Sequence, residues 1–415
     1  MVPSSLREWV KSKGTGATMG RSLTDEQVAV LTHRLADESE PMPMRMTLLV
    51  AMLMLPPSPA ESDWVTHVRQ APEQLSEPLR WVVTQRYPSP LAALAGRVIA
   101  GHDLTEVEAT RGFDSLFLDE DWSIKAAFLE ALRLKRETPT ENVVAMRACL
   151  QRASYQSVDL PLILDLSYPY DGLNRTPYLA PFVAATLAAC GVPVVLHGVP
   201  EGCPKNGDNT HRVLTRANLP VPMSWEGVLN TLHHAGWTYV DQSIGCPELS
   251  ALHDLRVAMV KRPVLATVEK LLLPLRAKKT MLVTSYTHPP YREKMLGLMA
   301  RLPLTGGWLV RGQEGSVQLP LDRRCPFYSL LGELGDGFMS PDRLGLARVE
   351  REEELNVQNP VGVLQDEGHP WRALLRWQCV MWVSQLQLDG DAVSRVDGVL
   401  QSGQAWECWT RFSEQ

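Results

Sequence analysis

Residues Asp159 to Gly207 read DLPLILDLSYPYDGLNRTPYLAPFVAATLAACGVPVVLHGVPEGCPKNG. An apolar run, Leu160 to Leu166, stops at the turn-forming Tyr168-Pro-Tyr-Asp-Gly172; a helical pattern covers Tyr178 to Cys190; a second β-branched run spans Val192 to His197. Strand, helix and strand in that order form a βαβ unit, whose parallel strands deliver their following loops to the carboxyl edge of the sheet. Ligands of α/β proteins bind at that edge, so function is sought there first.

Tyr170, Asp171, Gly172, Asn174 and Arg175 occupy the loop after the first strand. Asp171, Asn174 and Arg175 suit a phosphate, a ribose hydroxyl or a base edge, while Asp171-Gly172 also suits an ordinary type I or II turn. His197-Gly198 ends the second strand. Glycine is expected where a backbone passes close to a ligand, and the histidine serves either as a ligand contact or as a hydrogen-bonded structural residue.

The 415 residues are 45% hydrophobic with a net charge of -6, enough for at least one large core and long enough for two or three domains. So mild a charge leaves any affinity for nucleic acid or membrane to a local patch. Seven cysteines are scattered and never spaced C-x-x-C, a pattern of reduced thiols and not of disulfides or a zinc site. No histidine grouping has metal-ligand spacing. The longest wholly apolar run, Leu48 to Leu55, is far short of the roughly 20 residues that span a bilayer, and the first residues do not read as a secretory signal. A cytoplasmic protein without membrane contact is expected.

Before the α/β part, the chain reads as helices separated by proline-rich loops, and it repeats itself. Gly20-Arg-Ser-Leu-Thr-Asp-Glu26 matches Gly101-His-Asp-Leu-Thr-Glu-Val107, each threonine being the candidate helix N-cap, with Gln27 or Glu108 three residues on. Ala51-Met-Leu-Met-Leu55 followed by Ser58-Pro-x-Glu61 matches Ala131-Leu-Arg-Leu-Lys135 followed by Thr138-Pro-x-Glu141. The expected fold class is thus α plus α/β: a small all-helical amino-terminal domain, duplicated, and a large domain with a central, mostly parallel sheet flanked by helices. The expected boundaries are 1–95 for the extra helical module, 96–157 for the second helical module and 158–415 for the α/β domain.

The second copy, with GHDLTEVEATRGFDSLF and AAFLEALRLKRETPTENVVAMRACL, resembles the amino-terminal helical domain of the anthranilate phosphoribosyltransferases and pyrimidine nucleoside phosphorylases, glycosyltransferase family three. The resemblance continues in order to residue 412. It implies that the loop at Tyr168–Gly172 stands where the family holds phosphoribosyl pyrophosphate on glycines. It also implies that Lys205 and Gly207 stand on the segment touching the pyrophosphate, that Arg256 stands on the arginine binding the acceptor's carboxylate, and that Arg262 stands on the second arginine of that segment. The family's magnesium-binding Asp-Glu pair is replaced here by Val317 and Gln318 within Glu314-Gly-Ser-Val-Gln318, so no metal and no cofactor is expected. Two rings and an imino acid at Tyr168, Pro169 and Tyr170 replace the glycines, and Pro169 has no N–H to donate.

Those departures, with Ser285-Tyr-Thr-His-Pro-Pro-Tyr291 and Arg311-Gly-Gln-Glu-Gly315, resemble the YbiB-type branch, which implies nucleic-acid binding without anthranilate phosphoribosyl transfer. Between Arg256 and Arg301 ten Lys or Arg stand against Glu269 and Glu293, a net +8. Lys261, Lys270, Arg276, Lys278, Lys279 and Arg292, interleaved with Tyr286, His288 and Tyr291, are the candidates for a single-strand groove, rings and cations together being what such strands require. The expected function is binding of single-stranded nucleic acid or a nucleotide; the alternative is an active pentosyltransferase or phosphorylase with an acceptor other than anthranilate. A monomer, or a homodimer through the helical modules, is expected.

Overall fold

The computed structural model describes residues 5–16, 19–330, 336–348 and 357–414. It divides into two compact units, Met1–Gln151 with Ala251–Glu269, and Arg152–Ser250 with Lys270–Gln415. Among the described residues no helix is long and apolar enough to cross a membrane.

The first unit is helical: α1 Leu6–Lys13, α2 Asp25–Ala29, α3 Leu31–Ala36, α4 Met42–Met54, α5 Pro59–Gln70, α6 Glu77–Thr84, α7 Pro90–Ile99, α8 Glu106–Leu118, α9 Trp122–Lys135 and α10 Pro139–Arg152. Thr24 and Thr105 both form capping boxes at the starts of α2 and α8. Helices α4 and α9, at corresponding places in the repeated sequence, pack against each other. Both are buried on nearly every side, from Pro43 to Met52 and from Ser123 to Leu132.

The repetition extends to one hydrogen-bonded node. Glu61, with no solvent exposure, accepts from the backbone N–H of Leu23 (2.9 Å) and Ser58 (2.8 Å) and from Lys13 Nζ (2.7 Å). Glu141, equally buried, accepts from the N–H of Leu104 (2.9 Å) and Thr138 (2.7 Å) and from Lys135 Nζ (2.9 Å). Each carboxylate thus ties the entry of one helix to the start of another, and a buried charge persists only with such partners.

The division differs from the expected boundaries. Both helical modules lie within one unit, and Ala251–Glu269, assigned by sequence to the α/β domain, belongs to the helical unit. The short helix His253–Met259 buries Leu255 and Met259 against α4 and α9. Four-residue spacing of apolar residues finds a helical groove as readily as a sheet face, which is why the sequence did not reveal it.

The second unit is built on a seven-stranded sheet: β1 Ile163–Leu166, β2 Val194–Gly198, β3 Trp237–Asp241, β4 Thr280–Ser285, β5 Gly306–Val310, β6 Cys325–Ser329 and β7 Asp336–Met339. Their spatial order is β3-β2-β1-β4-β5-β6-β7; the first five run parallel and the last two pair antiparallel. Strands β1 to β5 are buried at every position, as parallel strands covered on both faces are. The expected helix of the βαβ unit is α11 Ala180–Ala189, packed against the terminal helices Arg372–Gln385, Ala392–Gln401 and Gln404–Thr410. Trp237 stacks with both Phe412 and Trp409, with ring centroids 4.2 and 5.8 Å away.

Candidate functional site

Because β1, β2, β4 and β5 are parallel, the segments following Leu166, Gly198, Ser285 and Val310 emerge at one edge of the sheet. Two of them are zipped together. Leu173 and Asp208 exchange backbone hydrogen bonds of 2.9 and 2.8 Å, and the Gly207 N–H donates to Asp171 O. The glycines serve this apposition. A Cβ on Gly172, whose φ is +75°, would lie 2.3 Å from Asp208 O; one on Gly202 would lie 2.0 Å from Tyr170 O; one on Gly207 would lie 2.7 Å from the Leu173 backbone. Gly172 and Gly207 therefore let backbone meet backbone, a second use of the same freedom the sequence reading reserved for a ligand. At Gly198 a Cβ would meet Tyr239 at ordinary contact distance.

Beneath the loops, His197 Nε2 lies 3.0 Å from Asp165 Oδ1, and His197 Nδ1 meets the Tyr170 hydroxyl. All three side chains are buried. Through these contacts His197 joins the first loop to its strand, and Tyr170 turns inward. Asp165 lies inside the apolar run of β1 and was missed from sequence. A second imidazole–carboxylate pair, His211 with Asp241 at 3.3 Å, closes the end of β3. Burial pushes the Asp241 carboxyl up, but His211 and Ser243 outweigh it and hold it below the ordinary range.

The densest polar arrangement is centred on Glu314. Its Oε1 accepts from the N–H of Arg175 (2.6 Å) and Asn174 (3.1 Å) and from the Thr176 hydroxyl (3.1 Å); its Oε2 lies 3.3 Å from Lys205 Nζ and 3.6 Å from Arg175 Nε. Lys205 Nζ also donates to Gly172 O, and Asn174 Nδ2 to Lys205 O. The Glu314 side chain is 4% exposed and that of Arg175 78%. Burial alone would raise the Glu314 pKa; the Arg175 and Asn174 amides, with Lys205 and Thr176, lower it below the usual glutamate value. Asn174, Arg175 and Lys205 are legible at this edge from the sequence, whereas Glu314 is not. Its one local signal is its place in the turn Gly312-Gln-Glu-Gly315.

Val317 and Gln318 follow on the same turn. Val317 is buried in the core. Gln318 Oε1 accepts from Leu179 N (3.2 Å), and its Nε2 donates to Pro177 O (2.9 Å) and Gln313 Oε1 (2.8 Å). Magnesium takes charged oxygens in octahedral array, so a valine and an amide already committed to three protein partners do not fit it. Among the described residues no cluster of three His, Cys, Asp or Glu is placed to hold a metal ion.

Comparison with known proteins bears on this frame. No family model matches the chain. A stretch of 222 residues, 53% of the chain, is 30% identical to an uncharacterized protein of Aquifex aeolicus and spans 66% of it, just under two thirds of its length. Over 299 residues, 68% of the chain, it is 27% identical to the anthranilate phosphoribosyltransferase of Symbiobacterium thermophilum, covering 84% of that protein. The crystal structure of the Thermus thermophilus anthranilate phosphoribosyltransferase superposes with a TM-score of 0.64 at 21% identity, over 77% of this chain and 98% of that one. The chain has the fold of the anthranilate phosphoribosyltransferases. The Saccharomyces cerevisiae enzyme in complex with PRPP and Mg superposes almost as well, with a TM-score of 0.63 over 79% of this chain at 15% identity.

On this phosphoribosyltransferase-like fold the basic segment is divided between the two units. Arg256, Lys261 and Arg262 belong to the helical unit. Arg256 is buried and binds Glu269 through two hydrogen bonds of 2.6 and 3.1 Å. Lys261 donates to Lys11 O, and burial pushes its ammonium down to about 8; Arg262 is exposed. In the α/β unit Lys270 is buried and donates to Ser285 O at 2.7 Å, joining its segment to β4. Arg276 stacks on Tyr155 at 3.6 Å. Lys278 and Lys279 are exposed at the amino end of β4, whereas Tyr286, His288, Tyr291 and Arg292 follow its carboxyl end. Six strand residues, about 20 Å, separate the two sets. Tyr286 is buried; His288 and Tyr291 are exposed. Sequence proximity of charge thus overstated the groove, because a strand carries neighbours in the chain to opposite edges of its sheet.

Rings and cations do meet near the carboxyl edge and the antiparallel strands. Lys294 Nζ lies 4.7 Å from the Tyr291 ring, the Arg292 guanidinium 5.5 Å from Tyr328, and that of Arg324 4.6 Å from Phe338, which is 44% exposed.

Proposed function

We propose that this chain is a cytoplasmic binding protein on the phosphoribosyltransferase fold, holding a nucleotide or single-stranded nucleic acid at the carboxyl edge of its sheet without anthranilate phosphoribosyl transfer. The reading rests above all on the turn Glu314–Gln318. Where the resemblance places two metal carboxylates stand Val317 and Gln318, and Glu314 is drawn into the loop opposite. Pentosyl transfer from a pyrophosphate donor depends on neutralising the departing phosphates. Losing metal assistance removes several kcal/mol of that stabilisation, and each 1.4 kcal/mol is about tenfold in rate. The ring–cation pairs at Tyr291, Tyr328 and Phe338 offer faces to bases and charge to phosphates. The YbiB-type resemblance supports the same reading.

A fluorescent single-stranded oligonucleotide should bind the protein, stripped of copurifying nucleic acid, at low salt. If about four cations meet phosphates, the log affinity should fall against log salt with a slope of about -3. No binding at low salt sinks the reading. Incubation with phosphoribosyl pyrophosphate and anthranilate, followed by mass spectrometry, should yield no phosphoribosyl anthranilate; turnover would restore the transferase alternative.

We further propose a monomer. Helices α4 and α9, one from each copy of the repeat, bury their apolar surfaces against each other within a single chain, leaving no need for a second copy to cover them. Light scattering should give the mass of one chain, 46.3 kDa; twice that value refutes the proposal.

A further inference from the structure

Resting on the reading that this edge holds a phosphorylated ligand, we propose that Glu314 is a built-in competitor for it: its carboxylate occupies an anion cradle that a phosphoryl group enters only when Glu314 leaves. The cradle consists of the Asn174 and Arg175 N–H groups, the Thr176 hydroxyl and Lys205 Nζ. Two consecutive amides, a hydroxyl and an ammonium converging on one point are the donors a phosphate oxygen takes. Here they converge on a carboxylate supplied by the chain itself. That carboxylate is nearly inaccessible to solvent, while Arg175 beside it reaches outward.

The backbone marks Glu314 as held in place. Its φ of +50° and ψ of +21° lie in the left-handed region, where a residue with a side chain sits at a cost of order 1 kcal/mol. The rest of the turn is anchored without it. Ser285 Oγ donates to Gly315 O at 2.7 Å, Gly312 N to Ser316 O at 3.1 Å and Gln313 N to Gln318 O at 2.7 Å. Removing the Glu314 side chain therefore leaves the turn tied to β4 and empties the cradle. A glutamate that only fastened two loops would, once removed, loosen them and create no affinity for anions; a competitor would unmask it.

Isothermal titration of the full chain with inorganic pyrophosphate separates the two. Glu314→Gly suits the left-handed backbone and should bind pyrophosphate about tenfold or more tighter than the wild type, the competent fraction no longer being taken up by the internal anion. Adding Lys205→Ala to that variant should remove the gain. Pyrophosphate binding no tighter in Glu314→Gly, or a gain that survives Lys205→Ala, overturns the proposal. Should circular dichroism show Glu314→Gly unfolded, Glu314→Gln keeps the shape without the charge and must itself show a gain. The wild-type oligonucleotide titration separates this proposal from the functional reading. Oligonucleotide binding with no pyrophosphate gain sinks the competitor alone; a pyrophosphate gain with no oligonucleotide binding leaves the competitor and sinks the nucleic-acid reading.

Discussion

Replacing Glu61 by alanine should destabilise the protein by about 3–5 kcal/mol, the usual cost of breaking a buried ion pair from one side. The substitution strands Lys13, whose side chain is 3% exposed, with Pro56 O as its remaining acceptor, and leaves the N–H groups of Leu23 and Ser58 without theirs. Urea denaturation of the wild type and the variant at neutral pH measures the difference. The deficit should depend on pH in a definite direction. Burial by itself raises the Glu61 pKa, but the hydrogen bonds from Lys13, Leu23 and Ser58 prevail and hold it below 4.5. A carboxyl with a depressed folded-state pKa stabilises fully above its unfolded value and loses that contribution as pH falls through the folded one. The gap between wild type and variant should therefore be constant above about pH 5 and narrow below pH 4.5. A gap that widens in acid, or one below about 1 kcal/mol at neutral pH, would mean that the node of the first repeat is ornamental.

Gly202→Ala should cost about 3 kcal/mol and abolish binding at the sheet edge together. Its Cβ would stand 2.0 Å from Tyr170 O and 2.3 Å from Asp171 Cα. Both are backbone atoms of the facing loop, so neither can rotate away as a side chain would. The two loops would have to part, pulling Lys205 away from Asn174 and Glu314. Gly398→Ala is the control: it lies within the helix Ala392–Gln401, a Cβ there meets nothing within 4 Å, and alanine should stabilise that helix by about 0.5–1 kcal/mol. Thermal melts and oligonucleotide titrations of the two variants provide the comparison. Wild-type stability and binding in Gly202→Ala would show that the loops need no such close approach.

The βαβ unit at 159–207 and the helical amino-terminal part are legible in the chain of residues, because apolar periodicity and capping boxes are local and are read within one or two turns. The same residues place the following loops at one edge of the sheet, since parallel strands leave no choice about which edge those loops occupy. Which partners the side chains of those loops meet depends on the folded arrangement. Tyr170 meets His197, and His197 pairs with Asp165, an acidic residue within an apolar run. Gly172 and Gly207 are needed by backbone from another loop. Arg256 and Lys270, counted among the cations, are buried with partners 13 and 15 residues away. Glu314 meets Arg175 across 139 residues. Charge and side-chain type are properties of a residue, but whether a charge faces solvent, a ligand or an internal partner depends on contacts between distant segments. Those contacts exist only once the sheet has brought its loops to one edge.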